Sequence, residues 1–158
     1  MADAAIWHRT ILFFLVVGLI LSVYAAVETY DPALRSTCTI SPYWSCAKVD
    51  SSNYTQVGPI PDWSIGVGGY LAMLAIDIPL MRSYDGRLLQ GLLVLSALGI
   101  VMSVYFAYVE LVLIDAFCPV CLSTYFANIG VFVPALVLLR KRSAPVDDGP
   151  EAEGRAPE

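Results

Sequence analysis

Charged side chains are scarce in this sequence. They make up 15% of its 158 residues, whereas hydrophobic residues make up 58% and the mean hydropathy is +0.68. A soluble domain of this size cannot hide so much apolar surface, so the excess is expected to meet lipid. The few charges are 9 Lys and Arg against 14 Asp and Glu. A net charge of −5 argues against nucleic-acid binding.

Four stretches have almost no charge. They cover residues 10–27, 63–81, 88–109 and 116–139, and Asp77 is the single charged residue within them. A helix needs about 20 apolar residues to cross a bilayer, and lipid offers no partners for free backbone groups. The sequence therefore predicts an all-α membrane protein, a four-transmembrane-helix bundle with a long outward-facing loop between helices 1 and 2. The first stretch is expected to be a retained anchor, because it exceeds a usual signal-peptide core and lacks a following small-x-small cleavage site.

The basic residues predict the orientation of this bundle. In a four-helix topology, the side that holds both termini and the middle loop contains Arg9, Arg82, Arg87, Arg140, Lys141, Arg142 and Arg155. The other side contains Arg35 and Lys48. Cytoplasmic loops are enriched in Lys and Arg, so the termini are predicted to be cytoplasmic. Loop 28–62 and turn 110–115 are then predicted to face outward, and residues 47–57 within the loop to form a short surface helix.

The end of the sequence differs in composition from the rest. Residues 143–158 are rich in Pro, Ala, Gly and acidic residues and lack a set of apolar residues that could pack. We expect a four-helix transmembrane domain over residues 1–142 and a disordered cytoplasmic tail over residues 143–158.

All four cysteines fall on the side predicted to face outward. Cys38 and Cys46 lie in the long loop, and Cys118 and Cys121 begin the fourth helix. Disulfides persist outside the cytosol and are generally reduced within it. The cysteine placement therefore agrees with the orientation that the basic residues indicate.

The motif Cys118-Pro119-Val120-Cys121 has the spacing of a redox-active pair. Asp115 is a candidate N-cap, which would put both thiols in the first turns of a helix, where the partial positive charge favours the thiolate. Three-residue spacing puts both sulfurs on one helix face, together with Tyr125. The motif alone leaves a structural disulfide, an incidental pair and, with the loop cysteines, a zinc site open. The seven residues between the loop cysteines are not a usual zinc spacing.

Four thiols on one face of a membrane can also form an exchange relay. An outer pair would take electrons from a soluble thiol partner and pass them to an inner pair. The inner pair, at the lipid boundary, would pass them to a quinone dissolved in the membrane. A non-enzymatic alternative is a four-helix scaffold in which Cys38 and Cys46 form a structural loop disulfide.

Several motifs together resemble the vitamin K epoxide reductase family. They are the Cys38-x7-Cys46 spacing, "KVDSS", "PIPDWSIGVGGY" and "CPVCLSTY", within a resemblance over residues 12–139. The resemblance implies a four-helix bundle around a quinone pocket, with no metal. It implies that Cys38 exchanges with a thioredoxin-like partner, that Cys46 passes electrons to Cys118, and that Cys118 and Cys121 form the redox-active disulfide. Cys121 would face the quinone, which could be a menaquinone, a ubiquinone or vitamin K itself, and quinone epoxide is a further candidate substrate.

The same resemblance implies further residues of the quinone site. Tyr125 matches a family position that hydrogen-bonds a quinone oxygen, and Ser52 matches a hydroxyl near the active-site cysteines. Asp62 takes a position where the family usually has Asn, and an ionised Asp only accepts hydrogen bonds. Asp50 replaces a family aromatic residue and is expected to alter how the loop docks.

Some bacterial relatives have a fifth helix and a fused thioredoxin-like domain, neither of which is found in this sequence. The partner is therefore expected to be a separate protein. The sequence ends without a KDEL-type signal, which favours a prokaryotic cytoplasmic membrane over the endoplasmic reticulum.

The remaining polar residues receive simpler interpretations. Asp77 is expected to pair with Arg82 or Arg140, and His8 is expected to have no role. Capping and solvation are expected to account for Glu110, and assistance in proton transfer is the lesser alternative.

Overall fold

Four long helices dominate the structure, a computed structural model that describes residues 2–143 apart from residues 53, 55, 58 and 84. They are α1 (Ala2–Tyr30), α4 (Asp62–Leu80), α5 (Gly86–Tyr108), which continues into a π-helical segment (Val109–Ile114), and α6 (Pro119–Ser143). The helices that are long and apolar enough to cross a membrane cover Ala5–Tyr30, Asp62–Leu80, Gly86–Ile114 and Pro119–Arg142. The four-helix prediction is confirmed. Residues 144–158, nearly all of the predicted tail, lie outside the described part of the chain.

The helices form a bundle in which α1 packs against α4 and α6, and α5 packs against the same two helices. Side chains such as Leu15, Leu92 and Val131 are completely buried between them. Gly18 lets Tyr70 of α4 pack directly against the backbone of α1, because a Cβ at residue 18 would lie 2.2 Å from a ring carbon of Tyr70. Many large apolar side chains instead point outward, as expected for a surface that meets lipid.

The loop between α1 and α4 contains four short elements. They are α2 (Pro32–Thr37), α3 (Cys46–Asp50) and the antiparallel pair β1 (Gln56–Val57) and β2 (Ile60–Pro61). The surface helix predicted over residues 47–57 is right for α3 and wrong at β1, where Gln56 and Val57 pair with Pro61 and Ile60. Backbone pairing with β2 displaces the helix there.

Asp50 connects this loop to the C-terminal end of α1. Its Oδ2 lies 2.9 Å from Nη2 of Arg35, and its Oδ1 accepts a hydrogen bond of 3.1 Å from the hydroxyl of Thr29. Arg35 also donates to the backbone carbonyl of Thr29. The residue that departs from the family pattern therefore docks the loop through polar contacts.

Replacing Asp50 with Ala should loosen this attachment. Arg35 and Asp50 are partly exposed, and such ion pairs contribute modestly, so we expect a loss of about 1 kcal/mol in the free energy of unfolding. Thermal unfolding in detergent would measure it, with Asp31→Ala as a control that removes only an α2 cap. An unfolding temperature equal to that of the wild type would contradict the proposed docking role.

The opposite end of the bundle contains a buried polar pair. Nδ1 of His8 lies 3.5 Å from Oδ1 of Asp77, and both side chains are buried. The expectation that Asp77 pairs with Arg82 or Arg140 was therefore wrong, as was the expectation that His8 has no role. The two residues are far apart in sequence, and only the packing of α1 against α4 brings them together.

Candidate active site

The two loop cysteines lie beside the first cysteine of the CxxC motif. Cys38 and Cys46 are joined by a disulfide, and Sγ of Cys46 lies 3.4 Å from Sγ of Cys118. All three side chains are buried, and their sulfur atoms lie within 4.8 Å of one another. A thiolate exchanges with a disulfide by direct attack on sulfur, so Cys46 and Cys118 are placed to exchange partners.

The same three sulfurs bear on the zinc interpretation. Thiolates, not disulfides, bind zinc. Because Cys38 and Cys46 are joined, this group offers one thiol, that of Cys118. The observed pairing therefore favours thiol exchange over metal binding in this oxidation state.

Backbone pairing holds the loop against the CxxC motif. The N–H of Phe117 donates to the carbonyl of Tyr43 at 2.7 Å, and the N–H of Ser45 donates to the carbonyl of Phe117 at 3.0 Å. The ring of Trp44 stacks on that of Phe117 with 5.7 Å between centroids. These contacts fix Cys46 directly beside Cys118. Trp44 thus packs on the outer loop, away from the cavity described below.

The start of α6 differs from the prediction. The helix begins at Pro119, so Cys118 takes the N-cap position, and its Sγ accepts a hydrogen bond of 3.2 Å from the N–H of Cys121. Asp115, the predicted cap, has φ 52° and ψ 48° and ends the preceding π-helical segment. The prediction was wrong because Asp115 lies at the junction of two helical segments, not in the extended conformation of an N-cap residue.

Glu110, in the π-helical segment that precedes the CxxC motif, forms hydrogen bonds with this part of α6. Its Oε2 accepts a hydrogen bond of 3.1 Å from the N–H of Cys118, and its Oε1 accepts one of 2.7 Å from the hydroxyl of Tyr125. Only 2% of Glu110 is exposed, so solvation does not account for it as expected. Sequence reasoning underrated this residue, although a carboxylate at the end of an uncharged run, eight residues before Cys118, was an available signal.

A cavity of about 210 Å³ opens between the four long helices beside the CxxC motif. Cys121 and Tyr125 line it from α6, and Asp62 and Trp63 line it from α4. Most of its remaining wall is apolar, as is typical of a site for a flat, largely apolar ligand. Cys118 does not line this cavity, so the two cysteines of the motif face different surroundings: Cys118 the loop disulfide, and Cys121 the cavity.

The cavity wall contains a buried donor that is not used. Nε1 of Trp63 is inaccessible to solvent and has no hydrogen-bond partner among the residues that the structure describes. Other polar groups there are satisfied: the hydroxyl of Tyr70 donates to the carbonyl of Thr124, and the amide of Asn128 donates to Ser103. The indole N–H of Trp63 is therefore unpaired within the described part of the chain but is not exposed to the cavity.

Asp62 borders two cavities. It lines the large one and also a smaller one of about 30 Å³, which is lined too by Glu28, Cys46, Cys118 and Cys121. Its Oδ1 accepts a hydrogen bond of 2.6 Å from the N–H of Trp63. Ser52, in contrast, lines neither cavity. The structure therefore brings Asp62 to the predicted site and leaves Ser52 outside it, just after α3.

The family assignment rests on the sequence model that this chain matches. Residues 9–136 match the vitamin K epoxide reductase family. The chain belongs to this family. Vitamin K epoxide reductase complex subunit 1 of Mus musculus is 33% identical over 138 residues, which cover 73% of this chain and 80% of that protein. The same subunit of Rattus norvegicus is 28% identical over 129 residues, with the same two coverages.

Membership in the vitamin K epoxide reductase family establishes the class of protein. The chain is an integral membrane protein and an oxidoreductase of the vitamin K epoxide reductase type. Because this is a family of oxidoreductases, membership argues against the alternative of a non-enzymatic four-helix scaffold. The matched region includes all four cysteines, Asp62 and Tyr125, so the site described above lies entirely within it.

Proposed function

We propose that the protein oxidises a separate thioredoxin-like partner and reduces a membrane quinone, thereby supporting disulfide formation in other proteins. One observation carries the proposal: Cys46 lies 3.4 Å from Cys118, while Cys121, one helical turn further, lines an apolar cavity. A thiol chain that begins under the outer loop and ends at such a cavity connects a water-soluble donor with a lipid-soluble acceptor.

The proposed electron route has three balanced steps. The partner's dithiol reduces the Cys38–Cys46 disulfide and becomes a disulfide itself. The thiolate of Cys46 then attacks Cys118 in a Cys118–Cys121 disulfide, and Cys38 resolves the resulting bond, which re-forms Cys38–Cys46 and leaves the inner pair reduced. Finally, Cys118 and Cys121 close to a disulfide as two electrons and two protons pass to the quinone, which becomes a hydroquinone. The pairing in the structure corresponds to the state before this last step.

The proposed quinone site uses groups on two helices. On α6, Cys121 supplies the reacting sulfur, and Tyr125, whose O–H donates to Glu110 in this structure, turns it to a ring oxygen when that carboxyl is protonated. On α4, Trp63 forms part of the wall. Ser52, just after α3 and outside the cavity, is proposed to support the loop and not to contact the quinone. The quinone would supply the electron-accepting chemistry, and its tail would leave the bundle into lipid.

The proposed membrane placement follows the basic residues. A single four-helix unit over residues 1–142 sits with both termini in the cytoplasm and the cysteines outside, in a prokaryotic cytoplasmic membrane. The endoplasmic reticulum, with the cysteines in the lumen, is the second candidate. A reporter protein fused after residue 142 tests this topology: activity of a cytosol-dependent reporter supports it, and activity of an export-dependent reporter contradicts it.

The proposed reaction can be tested with purified components. The protein, a reduced thioredoxin-like protein and either a menaquinone or a ubiquinone analogue should yield hydroquinone and oxidised partner in equal amounts. A parallel reaction with quinone epoxide and product analysis determines whether epoxide is also reduced. Absence of hydroquinone with every acceptor would overturn the proposal.

Asp62→Asn should strengthen quinone binding. An ionised carboxylate only accepts hydrogen bonds, whereas an amide can also donate one to a quinone oxygen. One neutral hydrogen bond contributes about 1 kcal/mol, so the KM for quinone should fall about fivefold. Steady-state kinetics with varied quinone would measure this, with Asp85→Asn, which changes the cap of α5 at the other end of the bundle, as the control. A large loss of kcat would instead indicate that Asp62 transfers a proton, which an amide cannot do.

A further inference from the structure

Glu110 is a buried carboxylate that the proposed electron route does not use. It lies in the π-helical segment Val109–Ile114, between α5 and the CxxC motif. π-helical turns are rare and occur often at functional sites. Burying a carboxylate costs free energy unless its oxygens accept hydrogen bonds, so the partners of Glu110 indicate its role.

Those contacts include a cysteine that is oxidised in the last redox step and a phenol at the proposed quinone site. One carboxylate oxygen holds the N–H of Cys118 at 3.1 Å, and the other holds the hydroxyl of Tyr125 at 2.7 Å. Cys121, one turn further along α6, lines the same cavity as Tyr125. Glu110 therefore contacts the backbone of the first cysteine of the motif and the phenol that lines the cavity beside the second.

The last redox step requires proton transfers at the CxxC motif and at the quinone. Oxidising two thiols to a disulfide releases two protons, and reducing a quinone to a hydroquinone takes up two. Cys121 must also become a thiolate to act as a nucleophile. A base beside Cys121 that also contacts a donor near the quinone would serve both needs.

We propose that Glu110 is a catalytic proton carrier that accepts the proton of Cys121 and returns it, through the hydroxyl of Tyr125, to a quinone oxygen. This inference rests on the function proposed above. The protonated carboxyl donates to the oxygen of Tyr125 as the phenol donates its own proton to the quinone, so Tyr125 is unchanged at the end. The second proton comes from the thiol of Cys118, and the two electrons come from forming the Cys118–Cys121 bond.

Other titratable groups surround this carboxylate. Cys118, Cys121 and Tyr125 face it from the α6 side, and Asp62 faces it from α4. Its contact with the N–H of Cys118 also supports the start of α6, so a purely structural role is the competing explanation. An experiment must therefore separate loss of a proton acceptor from loss of a helix cap.

Glu110→Gln makes that separation, because the amide keeps an oxygen for the N–H of Cys118 but cannot carry a proton at this pH. Single-turnover quinone reduction by the pre-reduced variant should slow about 100-fold or more at pH 7, within the range of general acid–base catalysis. The rate should recover as pH rises, since hydroxide then removes the proton of Cys121. Asp115→Asn, a matched change in the same outer turn, should leave rate and pH profile unchanged.

Tyr125→Phe provides a second variant that leaves the contact between Glu110 and Cys118 intact. It should also slow quinone reduction, and the double variant should be little slower than either single variant, because the two residues act as one unit. A Glu110→Gln rate within threefold of the wild type, or a slower rate with an unchanged pH profile, would overturn the inference alone. An inactive wild type would overturn the proposed function and this inference with it.

Discussion

Replacing Cys121 with Ala is expected to reduce quinone reduction to the uncatalysed background. Cys121 is the cysteine of the motif that lines the cavity, and without it Cys118 has no partner with which to deliver two electrons to a ligand there. The loop cysteines do not line that cavity, so they cannot replace the missing thiol. Hydroquinone formation with a reduced thioredoxin-like partner would measure the loss.

Ser123→Ala is the matched control for this variant. Ser123 lies two residues further along α6, and its exposed hydroxyl donates only to the carbonyl of Pro119. The control should therefore react at the wild-type rate. Normal turnover by Cys121→Ala would show that electrons reach the quinone by another route and would refute the assigned order of the cysteines.

Removing Cys38 and Cys121 together should trap the bond between the loop and α6. The double variant Cys38→Ser/Cys121→Ser retains Cys46 and Cys118, whose sulfurs are 3.4 Å apart, and neither retained cysteine has a resolving partner. Mild oxidation should convert nearly all of the protein to a Cys46–Cys118 disulfide, because both thiols are buried side by side. Mass spectrometry of non-reduced proteolytic fragments would measure the yield.

The complementary variant tests whether this bond is specific. Cys46→Ser/Cys118→Ser retains Cys38 and Cys121, and Cys121 is not part of the group of sulfurs within 4.8 Å. It should form little intramolecular disulfide under the same conditions. Equal yields from the two double variants would mean that the loop moves freely over the helix ends, contrary to the observed docking.

The helices were predictable because lipid imposes a simple requirement on sequence. Residues 63–81 and 88–109 were expected to span the membrane, and the observed spans are Asp62–Leu80 and Gly86–Ile114. An uncharged run of sufficient length has few alternatives to a helix in a bilayer. The extension of the third span past Glu110 was not predictable, because Glu110 is satisfied by groups that come later in the chain.

The site itself could be predicted only in part. The cysteine spacing and Tyr125 indicated a redox site, since residues three and four apart share a helix face. The docking of Trp44 on Phe117 and the pairing of His8 with Asp77 depend on contacts between distant parts of the chain, which have no local signal. The cap of α6 was assigned to Asp115 because local rules favour a nearby carboxylate, yet Cys118 itself takes that position.

The CxxC motif stores two electrons as a dithiol, and its first cysteine lies beside the loop disulfide while its second lines the large cavity. About one helical turn separates the two residues, which leaves their sulfurs able to bond. A thiol partner and a quinone, acting in turn as proposed, therefore never have to occupy the enzyme together. Initial-rate measurements with both varied should follow a ping-pong pattern, in which double-reciprocal lines run parallel.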